Sequence, residues 1–358
     1  MTTLDGGEMS PAEDNAMSRR TPKSRKSAPE AGRILRLEKI TQRRLLSLDR
    51  ERTLVAVAVS PIEVHGPHLP LGQDLLETYA MTENTLERLA RKKPEWTFVL
   101  LPPIPIAADC VPQLGSLNFP VRLVRDVAYH LLRPFALHGF SRLVYTNFHG
   151  GPRHNLALET AAVRLAKEFD TACISVMSAV LGKMMQGNIF FKAVEHTPGR
   201  RISPEQIKQD LHAGQVETSI GLHLWPELVE DGWQDLPEAV TDSNSPGQGA
   251  EQHFLFSDET PGTLLGRARR TAGRFRAMAR SVRHFSKNTY KGYPALSSAA
   301  EGRDLFEHLA GISLQVMEEF LEEGRRMEGH SPLWPLRRVL LNPAANKVFD
   351  EWLGVYSE

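Results

Sequence analysis

Three short segments gather imidazoles, carboxylates and glycines. The first runs Glu63-Val64-His65-Gly66-Pro67-His68-Leu69-Pro70-Leu71-Gly72-Gln73-Asp74, the second Asn147-Phe148-His149-Gly150-Gly151, and the third His212-Ala213-Gly214-Gln215-Val216-Glu217-Thr218-Ser219. Imidazole nitrogens and carboxylate oxygens without a thiolate are the ligand set of hydrolytic Zn, Mn or Fe sites, where two ions ~3.5–4 Å apart can share a water. A single His-Gly turn is more often structural, with its imidazole satisfied by a backbone carbonyl. Three such segments, each at a strand-to-helix junction, argue against independent structural accidents and for a dinuclear hydrolase.

Those junctions follow from the pattern of the surrounding chain. From Thr53 the run Leu-Val-Ala-Val-Ala-Val, bounded by Ser60-Pro61, reads as a buried central strand. Leu75, Tyr79, Leu86 and Leu89 then fall at helical spacing over 74–92, and Phe98 to Leu101 reads as a second strand closed by prolines. The alternation continues with a helix over 121–138 ending at Gly139, a strand from Arg142 to Thr146, a helix over 155–168 and a strand from Cys173 to Met177. This is an α/β chain with a mostly parallel central sheet covered on both faces. Ser203-Pro204 opens another helix with an N-cap serine and a proline at the first helical position. Further helices are expected over 216–224, 262–285 and 299–324, a surface loop over 241–262, and a short amphipathic piece from Val348 to Leu353. In an open α/β sheet ligands bind beyond the carboxyl ends of the strands, which is where the His-bearing segments lie.

The chain has 358 residues, 43 Lys and Arg against 43 Asp and Glu, so no overall charge draws it to nucleic acid or to an anionic membrane. Seven arginines from Arg267 to Arg283 crowd one expected helix, as a phosphate-binding stripe or as a solvated face or subunit contact. No apolar run reaches the ~20 residues of a membrane helix. The only cysteines are Cys110 and Cys173, which fits a reducing, cytoplasmic setting and no thiolate zinc site. Residues 1–33 have no apolar period and are expected to be a disordered tail, followed by a main domain over 34–325 and a C-terminal extension over 326–358.

The three segments resemble the creatininase (creatinine amidohydrolase) family. Its Glu-x-His-Gly-x-His-Leu-Pro stretch closed by Asp is matched from Glu63 to Asp74, its Asn-x-His-Gly-Gly from Asn147 to Gly151, and its His-Ala-Gly-x-x-Glu-Thr-Ser from His212 to Ser219. Gly292-Tyr293-Pro294 and Ala300-Glu301-Gly302 extend the likeness, which spans residues 35–325. The resemblance implies a three-layer αβα sandwich and a homo-oligomer, a hexamer in the family. It also implies two divalent ions, one held by Glu63, Asp74 and His149 and the other by His65 with Asp74 as a bridge. Creatininase itself has a further glutamate ligand where this chain has Gly151, which makes Glu217 the candidate to complete the second site and leaves His212 as general acid or base. The implied reaction is cleavage of the C–N bond of a small cyclic or linear amide by a metal-activated water. Formamide hydrolase and peptidase activities occur among relatives, and a binding protein that lost turnover is the reading from another class.

In that chemistry the leaving nitrogen needs a proton, which a histidine of ordinary pKa, ~6.5, can supply. His68 either donates to the ligand shell or fixes the Pro67 to Pro70 turn. Creatininase proper closes over its ligand with tryptophans before the third motif, whereas residues 171–210 here contain none and offer only Phe190 and Phe191 as large aromatics. Phe190 is therefore the candidate substrate contact, with Arg153-His154 and Arg200-Arg201 either binding an anionic substrate group or serving solvation and helix capping.

Overall fold

The computed structural model describes residues 34–187, 209–240, 287–324 and 331–352, together with positions 203, 206 and 283–285. Its centre is β2 (Thr53–Ser60), eight residues that are all buried, as the unbroken apolar run requires of a strand covered on both faces. On one side β2 pairs with β3 (Thr97–Leu100), which pairs in turn with the edge strand β1 (Ile34–Arg36). On the other side it pairs with β5 (Arg142–Thr146), and β5 with β6 (Ala172–Ser175). A two-residue strand, β4 (Ile104–Pro105), adds to the carboxyl end of β2, and every pairing is parallel.

The strand order β1-β3-β2-β5-β6 determines where the helices go. The crossover from β2 to β3 through α2 (Gln73–Lys92) runs one way along the sheet, and that from β5 to β6 through α4 (Pro152–Phe169) runs the other way. Because crossovers are right-handed, opposite directions place α2 and α4 on opposite faces. The connection carrying α3 (Val121–Leu137) also runs toward β5, and α3 packs against α4. The long helix α7 (Ala299–Glu323) packs against α2, completing a three-layer sandwich. The chain reverses direction between β2 and β5, which makes the carboxyl ends of these two neighbours the switch point where a ligand crevice forms. The first His-bearing segment leaves β2 there and the second leaves β5.

Two shorter elements complete the frame: α5 (Val176–Gly187) directly follows β6, and α6 (Gln215–Leu224) carries the third motif against α7. Residues 331–352, which include α8 (Arg337–Leu340) and α9 (Pro343–Trp352), lie on α4, where Leu333 and Leu340 bury against Leu156 and the Ser331 hydroxyl donates to Glu159 Oε2 at 2.6 Å. The short helix α1 (Gln42–Leu46) follows β1. Among the described residues no helix is long and apolar enough to cross a membrane. The expected helix over 262–285 and loop over 241–262 lie outside the described residues, except for Arg283 to Phe285.

Candidate metal centre

Glu63 and His65 follow β2, Asp74 stands in the first turn of α2, His149 follows β5, and all four are at most 5% exposed. Asp74 lies between two imidazoles. Its Oδ1 is 3.2 Å from His65 Nε2 and its Oδ2 is 3.1 Å from His149 Nδ1. Glu63 Oε1 is 3.0 Å from the same His149 nitrogen, and Glu217 Oε2 is 3.7 Å from His65 Nε2. Ligand atoms of Glu63, Asp74 and His149 lie within 4.8 Å of one another, as do those of His65, Asp74 and Glu217, and those of Glu63, His65 and His212.

Backbone carbonyls set the tautomer of each ring. His65 Nδ1 donates to the Glu63 carbonyl at 3.0 Å and His149 Nε2 to the Ala108 carbonyl at 3.0 Å, so in each ring the other nitrogen faces the carboxylates, where it carries a proton in the metal-free protein and would offer a lone pair to a metal. This is the outer-shell arrangement that orients imidazole ligands of a metal. The Val111 amide donates to Glu63 Oε2 at 2.7 Å, so the segment after β4 holds both Glu63 and His149.

Charge explains the proton affinities. Burial opposes protonation of His65, yet the Asp74 carboxylate, with Glu217 and Glu63 behind it, lifts this imidazole to about 10. His149 is likewise raised, against burial, by Glu63 and Asp74, and those two rings hold Asp74 well below its ordinary range despite its burial. Burial, reinforced by Asp74 and Glu63, pushes Glu217 up to about 7 against the pull of His65. Three buried carboxyls around two imidazoles thus attract positive charge. A pair of divalent cations fits that donor set in both charge and lone pairs.

A raised folded-state pKa makes a stability statement about the metal-free protein. The His65 contribution is complete below its ordinary value of 6.5 and is lost as pH rises through about 10. The melting temperature in chelator should therefore fall from about pH 7 to about pH 10, and saturating Zn or Mn should flatten that profile by occupying the same lone pairs. Thermal melts with and without metal check this, and a metal-free melting temperature that rises over the range contradicts it.

The third motif differs from expectation in one respect. His212 Nε2 donates to the Val64 carbonyl at 2.7 Å, and burial together with the charge of His65 pushes this ring down to about 4 rather than leaving it near 6.5. Cations beside it would act in the same direction. His212 is therefore a neutral ring, suited to accepting a proton before handing it on. Its ring lies against His65, tilted by 40° with ring centroids 4.3 Å apart. Glu217 Oε2 accepts from the Ala213 amide, and Ala213 holds a left-handed φ of 47° to aim that amide.

His68 Nε2 lies 2.7 Å from Thr218 Oγ1, tying the first motif to the third. Gln73 does the same from α2, donating to Glu77 Oε1 at 2.7 Å and to the Glu217 carbonyl at 3.3 Å. Gly151 explains why a glutamate is missing there: a Cβ would lie 2.4 Å from His149 Nε2 and 2.8 Å from the Ala108 oxygen, so with His149 in this position no side chain fits. Arg153, expected as an anion-binding residue, is buried in ion pairs within the protein. Its Nε pairs with Asp109 at 2.6 Å and its Nη1 with Asp350 at 2.7 Å, and neighbouring His154 is buried with Nε2 donating to the Val59 carbonyl at 3.2 Å. Phe190 and Arg200-Arg201 lie outside the described residues.

One structural residue escaped the sequence reading. Asp210 accepts from the amides of Gln215 at 2.7 Å, Val216 at 2.9 Å and Tyr293 at 3.1 Å, capping the helix that carries Glu217. Gly214 and Gly292 make room for it, since a Cβ on either would lie 1.9 or 2.1 Å from Asp210 Oδ1. The paired glycines were the available signal.

Residues 38–316 match the profile of a family described as creatinine amidohydrolase. The chain belongs to the creatininase family. A mycofactocin precursor peptide peptidase from Mycobacterium ulcerans (strain Agy99) is 28% identical over 181 residues, which are 49% of this chain and 60% of that protein. The crystal structure of a putative creatinine amidohydrolase from Bacteroides fragilis NCTC 9343 superposes with a TM-score of 0.51 at 18% identity, covering 79% of this chain and 96% of the other. A creatininase variant complexed with creatine gives a TM-score of 0.52 at 15% identity over 81% and 99% of the respective chains. At such identities the two structures establish the creatininase fold.

Proposed function

We propose that this creatininase-family chain is a metal-dependent hydrolase of carbon–nitrogen bonds. Glu63, Asp74 and His149 would hold one divalent ion, and His65, Asp74 and Glu217 the other. The observation that carries the reading is Asp74, whose two oxygens face two separate imidazole–carboxylate clusters. Two ions held there would supply an activated water at neutral pH and polarise the amide carbonyl. The chain's own residues supply the rest. Ala108 and Glu63 carbonyls fix the ligand tautomers, Val111 holds Glu63, and His212 accepts a proton and passes it to the leaving nitrogen.

The substrate class is a small cyclic or linear amide. A peptide amide is the second reading, favoured by 28% identity to a peptidase against 15–18% to the creatininase structures above. Creatinine should be a poor substrate, because residues 171–210 contain no tryptophan to close over it. Elemental analysis followed by turnover of creatinine, formamides and short peptides, with and without chelator, tests the whole reading. Absence of bound metal in the active protein, or activity indifferent to chelator, contradicts the mechanism, and efficient creatinine turnover contradicts the substrate assignment. The family resemblance supports a homo-oligomer, which light scattering of the purified protein tests, and the two free cysteines support a reducing, cytoplasmic setting.

A further inference from the structure

The C-terminal segment lies beyond the residues that match the family, yet it reaches the support of one candidate metal site. Arg153 stands in the first turn of α4, just after the second motif, and is 2% exposed. Its amide and Nε both donate to Asp109, each at 2.6 Å. From the other side α9 contributes Asp350 Oδ1 at 2.7 Å and Asn346 Oδ1 at 3.4 Å to Nη1, with the Phe349 ring 5.3 Å beneath the guanidinium. Asp350 and Asn346 are 2% and 8% exposed, so this is a dry, built contact.

Asp109 connects Arg153 to the candidate site. It holds a left-handed φ of 68°, a conformation that costs a non-glycine residue roughly 1–2 kcal/mol and persists only when its surroundings impose it. Rotation about that φ turns the peptide plane that carries the Ala108 carbonyl, the acceptor for His149 Nε2. Two residues on, Val111 holds Glu63. The bonds from Arg153 to the Asp109 carboxylate therefore govern the aim of two of the three groups facing one site, and Asp350 governs the aim of Arg153.

We propose that α9 is a positioning element for the metal centre: Asp350 and Asn346 hold Arg153, Arg153 holds Asp109 in its left-handed turn, and the 108–111 segment thereby orients His149 and Glu63. Asp350 and Arg153 are positioning residues that touch no reacting atom. The inference rests on the reading of Glu63, Asp74 and His149 as ligands, and it makes the two sites respond differently, because among the described residues no hydrogen bond joins the side chains of His65 or Glu217 directly to the 108–111 segment.

The test uses the full-length protein with Asp350→Ala, Asp350→Asn and Ser331→Ala, the last loosening the same extension where it meets Glu159, away from Arg153. Chelator competition with Zn should show one of the two ions bound about 10-fold more weakly in Asp350→Ala, in the range seen when support for a ligand is removed, with the other ion unchanged. Asp350→Asn keeps an acceptor and should fall between Asp350→Ala and wild type, whereas Ser331→Ala should lower the melting temperature with both affinities intact. In the metal-free proteins, hydrogen exchange across residues 108–111 should speed up in Asp350→Ala, less in Asp350→Asn, and stay unchanged in Ser331→Ala. Equal effects of Asp350→Ala and Ser331→Ala, tracking their loss of melting temperature, would mean that α9 only stabilises the fold, and unchanged exchange and affinity in Asp350→Ala would overturn the proposal. A wild-type protein that takes up no metal while exchange at 108–111 still responds to Asp350→Ala would refute the ligand reading and leave the mechanical coupling standing.

Discussion

Asp74→Ala is expected to lose both ions and, with them, nearly all hydrolysis. Its two oxygens lie 3.2 and 3.1 Å from the facing nitrogens of His65 and His149, and the residue is 2% exposed, so alanine removes the carboxylate shared by both clusters. Stabilisation of transition-state charge by bound ions amounts to several kcal/mol, which corresponds to at least about 10³-fold in rate. Asp74→Asn keeps a single acceptor and should retain about one ion, bound on whichever side that oxygen faces. The metal-free variant also removes the carboxylate that raises the proton affinity of both rings, so its fall in stability between about pH 7 and about pH 10 should be shallower than in the wild type. Metal content by elemental analysis decides the matter, and an Asp74→Ala protein with its full complement of ions refutes the bridge.

The cluster around Asp74 was legible through the family resemblance of three motifs that are local runs, whose spacing survives folding. The strand that launches the first of them was equally legible, eight buried residues from Thr53 to Ser60 between turn signals. What escaped is non-local or too short to have a period. The edge strand Ile34–Arg36 has three residues and pairs with a partner more than sixty positions away, and Ile104–Pro105 has two. The switch point between β2 and β5 does not depend on them, because it follows from the order of β3, β2, β5 and β6. The supports of the site are largely backbone groups, the Ala108 carbonyl and the Val111 amide, which leave no trace in side-chain type. Arg153 illustrates the converse. A lone arginine after a motif reads as an anion binder until the fold supplies Asp109 and Asp350, which lie 44 and 197 positions away. An expected histidine of ordinary pKa at position 212 fails for the same reason, since its burial and its charged neighbour come from the first motif.

Glu217 and His212 share one motif but should fail in different ways. Glu217 faces His65 Nε2 at 3.7 Å and stands opposite Asp74, so Glu217→Gln removes the charge of one ligand set and should weaken one ion while the site of Glu63, Asp74 and His149 keeps its own. Activity should fall with that ion. His212→Asn should keep both ions and slow turnover by roughly 10² to 10⁴, the usual loss on removing a general acid or base. The pH profile separates them further. His212 is pushed down to about 4 and works as the neutral ring, so the wild-type rate should fall as pH drops through about 4, and this limb should be absent from His212→Asn. Acid also protonates His65 and His149 and releases metal, so metal content at each pH must be held constant or measured alongside the rate. A limb that persists in His212→Asn with both ions bound belongs to another group. Loss of metal from His212→Asn together with two intact ions in Glu217→Gln would reverse the assignment, making His212 the ligand that completes the second site and Glu217 the group that moves the proton, a role to which a carboxyl raised by burial to about 7 is suited.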